Sequence, residues 1–212
     1  MTGSDAKILS FAPLLTKNAA MPFALILIVL AAAWRIVAVH FPMMGNFSPL
    51  MALTFCGAVY FRDKRLWLVP FIALTLSDLY LDHYYATTFN YEWTIGGALI
   101  RIVCFVAALG LGAVVASHRT WLNLLSGVLG GAVFFYLVTN TASWLGDAAY
   151  RHDLGGWWQA ITVGHPEFPP TLFFFRNTLV GDLLFTGIFA VTMEYAARRA
   201  GRPSLLAKRA EI

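Results

Sequence analysis

Long apolar stretches alternate with short polar connections along the chain. A helix needs about 20 mostly apolar residues to cross a bilayer's hydrocarbon layer. Six stretches approach that requirement: 21–41, 47–61, 67–85, 96–117, 121–145 and 171–196. The second is short and could start inside the membrane. The first follows Lys7 and Lys17, as a secretory leader would, but Trp34 and Arg35 occupy the place of a cleavage site and five spans follow. It therefore reads as retained. The pattern predicts an all-α membrane protein, a six-transmembrane-helix bundle over 21–196. A cytoplasmic or interfacial segment, 1–20, precedes it, and a basic cytoplasmic tail, 197–212, follows. No internal repeat or Gly/Ser linker divides it. The longest connection, about 146–170, carries Gly155-Gly156-Trp157-Trp158 and then His165-Pro166-Glu167-Phe168-Pro169-Pro170. Loops of that length often act as lids or binding loops, and the prolines make a stiff, extended entry into the last helix.

The basic residues orient the bundle. Lys7, Lys17, Arg62, Lys64, Arg65, Arg119, Arg198, Arg199, Arg202, Lys208 and Arg209 fall on one side. The other side has Arg151 with Glu92, Asp147, Asp153 and Glu167. By the positive-inside rule both termini are cytoplasmic and the first, third and fifth loops face outward. The net charge of +4 is then an orientation signal, and no nucleic-acid partner is expected. Composition agrees: charged residues make up 12% of the 212 positions and apolar ones 59%, against roughly 25% charged in soluble domains. That excludes a soluble enzyme, a disordered chain and a fibrous repeat. The bilayer is the expected surrounding.

Five charges remain inside the spans: Arg35, Asp78, Arg101, Arg176 and Asp182. Each is costly in lipid and belongs on the protein interior or in a wet cavity. All five fall at or outside the midplane, joined there by Asn46, Ser48, Asn140, Thr141, Ser143, Asn177 and Thr178. The inner halves are Leu, Val, Ala and Gly. This points to a bundle closed below and polar above, with an outward-facing pocket. Internal ion pairs, Arg35 with Asp78 and Arg101 or Arg176 with Asp182, are the plainer alternative.

Asn46-Phe47-Ser48-Pro49 reads as a helix entry in which Asn46 or Ser48 caps free N–H groups. Asp78 and Asp82 lie four apart on one helical face, followed by His83. That trio could line a pocket, meet arginines or serve as acid and base, and it lacks a second ligand at metal spacing. Gly110, Gly112, Gly127, Gly130 and Gly131 suit close helix packing. Ala20, Ala24 and Ala31 to Ala33 form a small-residue face that could pack inside or dock a partner helix. Cys56 and Cys104 form no recognisable pattern. No nucleotide-binding, nucleophile-elbow or zinc-protease motif is present, and no cofactor or metal is expected.

Arg35, Asn46-Phe47-Ser48-Pro49-Leu50-Met51-Ala52-Leu53, Ser77-Asp78, Thr139-Asn140 with Trp144, and Phe175-Arg176-Asn177-Thr178 with Gly181-Asp182 together resemble an uncharacterised family of bacterial six-helix membrane proteins. The resemblance covers about residues 30–190 and implies a multi-pass protein of the bacterial cytoplasmic (inner) membrane. More distantly, the size, six spans and cytoplasmic termini are similar to the S-components of energy-coupling-factor (ECF) vitamin transporters. That likeness implies a small vitamin held near the outer face and a membrane coupling subunit docked on an alanine-x-x-x-alanine surface of helix one. Ala20 and Ala24 supply that spacing only at the helix start, and Arg35 is a departure.

These readings combine into a substrate-binding membrane protein for uptake of a small vitamin-like solute. The expected ligand contacts are Asn46, Asp78, Asp82, Asn140, Trp144, Arg176 and Asn177. The arginines would meet an anionic or carbonyl group, and Trp144 would stack on a ring. Arg35, Arg101 and Asp182 are expected as structural charges, with Asp182 paired to Arg101 or Arg176. Two other classes stay open. One is a non-catalytic subunit of a larger membrane complex. The other is an intramembrane enzyme using Asp78, Asp82 and His83, or His152 and His165.

Overall fold

The computed structural model describes residues 21–61, 63–89, 94–204 and 206. Segment 1–20, Arg62, Glu92, Lys208 and Arg209 lie outside the described residues. Each apolar stretch coincides with a helix: α1 (Met21–Ala38), α2 (Leu50–Tyr60), α3 (Leu68–Phe89), α4 (Ile95–Ser117), α5 (Trp121–Gly146) and α7 (Thr171–Arg199), with a short α6 (Leu154–Ile161) between the last two. Two 3-10 turns, Pro42–Met44 and Lys64–Trp67, serve the first two connections. No strand occurs among the described residues.

The helix starts follow local chemistry. Thr94, Thr120 and Asp153 each accept a hydrogen bond from the backbone N–H three residues on, capping α4, α5 and α6. Pro170 opens α7. Of the expected six crossings, four helices are long and apolar enough to span: α1, α4, α5 and α7. Only 28% of the apolar window in α1, α4 and α5 is buried within the chain. The remaining apolar surface is far more than water tolerates, so the protein is membrane-embedded. α3 has the length, but Ser77, Asp78, Asp82 and His83 dilute its second half. α2 fails on length, since 11 residues rise about 16 Å, roughly half the hydrocarbon layer.

α2 is instead the centre of the molecule. Every residue from Met51 to Phe61 is buried, as an all-round apolar helix must be, and α4, α7, α3 and α5 pack around it. Two glycines permit this. A Cβ on Gly112 would stand 2.6 Å from both the Phe55 carbonyl oxygen and the Ala58 Cβ, and one on Gly127 would stand 2.7 Å from the Phe55 ring. Gly110 and Gly130 meet nothing within 4 Å, so the expected packing role does not extend to them.

The main apolar core gathers where α2 and α7 end and α1 begins, around Met21, Ala24, Ile28, Cys56, Tyr60, Phe61, Phe189 and Met193. The alanine face of α1 turns inward there, with Ala24 and Ala31 buried. The opposite end of the bundle holds the charges, and is called here the polar end.

Candidate functional site

At the polar end, α1, α3 and α4 are tied by a ladder of alternating charge. Arg35 donates from Nη2 to Asp78 Oδ1 at 2.6 Å, and from Nη1 to Ser77 Oγ at 2.6 Å and the Leu74 carbonyl at 3.3 Å. Arg101 grips Asp82 with both terminal nitrogens, at 2.9 and 3.1 Å, while its Nε stands 3.8 Å from Asp78 Oδ2. The four-residue spacing of Asp78 and Asp82 puts both on one face of α3, between the two guanidiniums. These carboxylates are therefore lodged in arginine forks, an arrangement that neutralises them and suits neither a general base nor a metal. No group of three His, Cys, Asp or Glu stands together among the described residues.

The second cluster holds the segment that descends into α2. Asn177 is buried and donates from Nδ2 to the carbonyls of Met43 and Gly45, at 3.0 and 2.9 Å. The Thr178 hydroxyl is shared between the Phe174 carbonyl of its own helix, at 3.1 Å, and the Asn46 carbonyl, at 3.4 Å, and Trp34 Nε1 donates to the Phe47 carbonyl at 3.1 Å. Asn46 itself sits at φ 61°, a left-handed turn that Asn adopts more readily than most residues. Arg176 is exposed. It lies 4.3 Å over the Phe173 ring and reaches Asn177 Oδ1 at 3.3 Å.

Neither Asn46 nor Ser48 caps α2. Pro49 takes the cap position with no side-chain bond, and Asp182 of α7 reaches across to accept from the Ala52 N–H at 3.2 Å. The expected pairing of Asp182 with Arg101 or Arg176 is not found. Arg101 is spent on Asp82 and Asp78, and the nearest arginine in sequence, Arg176, lies six residues back on another face of α7. Asp182 instead serves as the acceptor for a free N–H in the first turn of α2.

Asn140 and Trp144 each donate to a backbone carbonyl. Asn140 Nδ2 donates to the Tyr136 carbonyl of its own helix at 2.7 Å. Trp144 Nε1 donates to the Arg151 carbonyl at 2.8 Å, with its ring against His152. Trp157 donates to Thr141 at 3.1 Å, and the Tyr136 hydroxyl to the Ile161 carbonyl. The long connection is thus folded down on α5. Outside the apolar lengths, burial pushes the Tyr150 phenol up, with Asp147 adding to it.

Two cavities matter. One of about 10 Å³ adjoins Asp182, Ala52, Met51 and Gly131, room for about one water. The other, about 260 Å³, is a crevice between α1 and α7 lined by Leu27, Leu30, Leu53, Phe185 and Ile188. It is wholly apolar and offers nothing to a polar solute. Trp34 and Tyr136 were missed by sequence reasoning, because each indole or phenol bonds a distant carbonyl that no spacing announces.

A family model described as "Family of unknown function (DUF6580)" matches residues 16–205. The chain belongs to that family. The DUF6580 match takes in all seven helices of the described residues, in keeping with the resemblance to an uncharacterised family, and supplies no link to the S-components. No curated protein and no solved structure matches the chain.

Proposed function

We propose that this protein is a transport protein of a bacterial cytoplasmic membrane that receives a small anionic solute from the outer side. The observation that carries the reading is α2. It is a half-length helix buried on all sides, entered by an irregular segment, 42–49, whose carbonyls are held by Trp34, Asn177 and Thr178. Irregular backbone at membrane depth persists where it is buried in protein or lines a cavity, and broken helices of this kind mark solute sites in transporters. With both termini cytoplasmic, as the basic loops require, the polar end faces outward.

Arg176 then receives the solute. Among the described residues it makes no ion pair, and it is exposed beside the re-entrant segment. Asn46 is the polar neighbour offered to the same solute. Asp78, Asp82, Asn140 and Trp144 support the rim. A vitamin-like solute bearing a carboxylate or phosphate fits this chemistry. A coupling subunit would have to dock elsewhere than on Ala24, which is covered by the chain's own core.

Native mass spectrometry of gently extracted protein tests the reading. The wild type should carry a non-lipid anionic small molecule, and Arg176→Gln should lose it while remaining folded, because the side chain is exposed. A wild type free of such a molecule, or an Arg176→Gln protein that keeps it, contradicts the assignment.

A further inference from the structure

Four buried side-chain polar atoms have no nitrogen or oxygen partner among the described residues: Ser48 Oγ, Tyr60 Oη, Asp182 Oδ2 and Thr186 Oγ1. Unpaired buried groups scattered by chance would belong to unrelated places. These four share one seam. α2 and α7 run side by side in the same direction, since Ala52 meets Asp182 and Tyr60 meets Phe189. On α7, Thr178, Asp182, Thr186 and Glu194 stand at multiples of four residues. On the α2 side Ser48, Ala52, Cys56 and Tyr60 do the same. Two such rows face each other when helices pack ridge to groove.

Polar groups recur along the seam, interrupted by Ala52 and Ala190. Thr178 opens it at the Asn46 carbonyl. Asp182, 1% exposed, uses one oxygen on the Ala52 N–H and turns toward the water-sized cavity. Thr186, one turn below, has the Cys56 thiol beside it, a weak partner. The Tyr60 hydroxyl follows, within electrostatic reach of Glu194. Glu194 accepts from Ser204 at 2.5 Å where α7 leaves the apolar core. Asp182 is thus left with one oxygen that meets neither a donor nor a cation among the described residues, an arrangement that disfavours a bare charge.

We propose that the α2–α7 seam is a proton-binding relay, with Asp182 as the group that stores the proton. Asp182 Oδ2 holds the proton beside the water-sized cavity, with the seam as its route to solvent. It releases that proton to a hydroxyl or water at Thr186, which passes one on through Tyr60 to Glu194. Each hop breaks one O–H bond as the next forms, so the relay requires no oxidant or reductant. The inference stands on the seam alone and is independent of which solute is carried.

Infrared difference spectroscopy of the full chain in lipid vesicles decides it, in sodium-free and in sodium buffer at neutral pH. The wild type should show a protonated-carboxyl C=O band that Asp182→Asn removes and that shifts promptly on transfer to deuterium oxide. Thr186→Val keeps Asp182 and should keep the band, while slowing its isotope shift about tenfold or more, the effect of losing roughly one hydrogen-bonded step. It serves as the test even if the Asp182 variant folds poorly. Four results overturn the proposal: no such band, a band unchanged in Asp182→Asn, a band that never shifts, or equal shift rates in wild type and Thr186→Val. A band seen only without sodium would make the seam a metal-cation site and overturn it equally.

Discussion

Replacing Asp78 by Asn should unfold the polar end more readily than the same change at Asp82. Asp78 has 12% of its side chain exposed and Arg35 has 11%, at 2.6 Å separation. At an effective dielectric of about 20, that contact is worth roughly 6 kcal/mol of gross attraction. Much of it repays desolvation, so the sum itself is not the loss. What matters is that Asp78→Asn leaves the Arg35 guanidinium buried without its counter-charge, and breaking one side of such a pair costs roughly 3–5 kcal/mol. Arg101 and Asp82 are 33% and 23% exposed, so water takes over much of what Asp82→Asn removes, and the loss there should be about 1 kcal/mol. Removing both members of the buried pair, Arg35→Gln with Asp78→Asn, should recover part of the single-variant loss, because no unpaired charge is left. The assay is the folded fraction of detergent-extracted protein, followed by size exclusion across a heating series. Equal midpoints for Asp78→Asn and Asp82→Asn, or a double variant less stable than Asp78→Asn, would refute the reasoning.

Further outcomes follow from contacts of the same kind. Gly112→Ala places a methyl 2.6 Å from backbone and Ala58 and should cost about 1–3 kcal/mol. Gly110→Ala, with open space, should be neutral or slightly stabilising in the same melting assay. Asn177→Ala strands the Met43 and Gly45 carbonyls, a loss of about 2 kcal/mol at roughly 1 kcal/mol per bond, visible as faster amide exchange across 43–49. Trp144→Phe removes the bond to the Arg151 carbonyl while keeping a ring. Trypsin should then cut after Arg151, whose side chain is 86% exposed, sooner than in the wild type. An unchanged cleavage rate would show that the indole does not hold the turn.

Much of the fold was legible because lipid selects helices by length and polarity. The apolar runs 96–117 and 121–145 differ from α4 and α5 by one residue at one end. α6 was not foreseen, since Gly155 and Gly156 disguise a helix start. A Cβ on Gly156 would stand 1.9 Å from the Arg151 carbonyl, so glycine is there for close packing. The site was legible in part. Five intramembrane charges on one side announced a polar end, and the spacing of Asp78 and Asp82 announced a shared face. Which arginine meets which carboxylate depends on how α1, α3 and α4 are turned about their axes, and a lone sequence does not fix that. Asp182 was hardest to place, because its partner is a backbone N–H exposed only by the break before α2. A broken helix signals itself by a short apolar run, and 47–61 was that signal.

In the proposed orientation the polar end, with Met44, Asn46 and Arg176, faces the cell exterior. A single cysteine at exposed Met44, in a chain whose buried Cys56 and Cys104 are replaced by alanine, tests it against a membrane-impermeant maleimide on intact spheroplasts. A cysteine at exposed Lys64, on the opposite end, is the internal standard. Met44→Cys should be labelled in intact spheroplasts and Lys64→Cys only after permeabilisation. The reverse pattern would contradict that orientation.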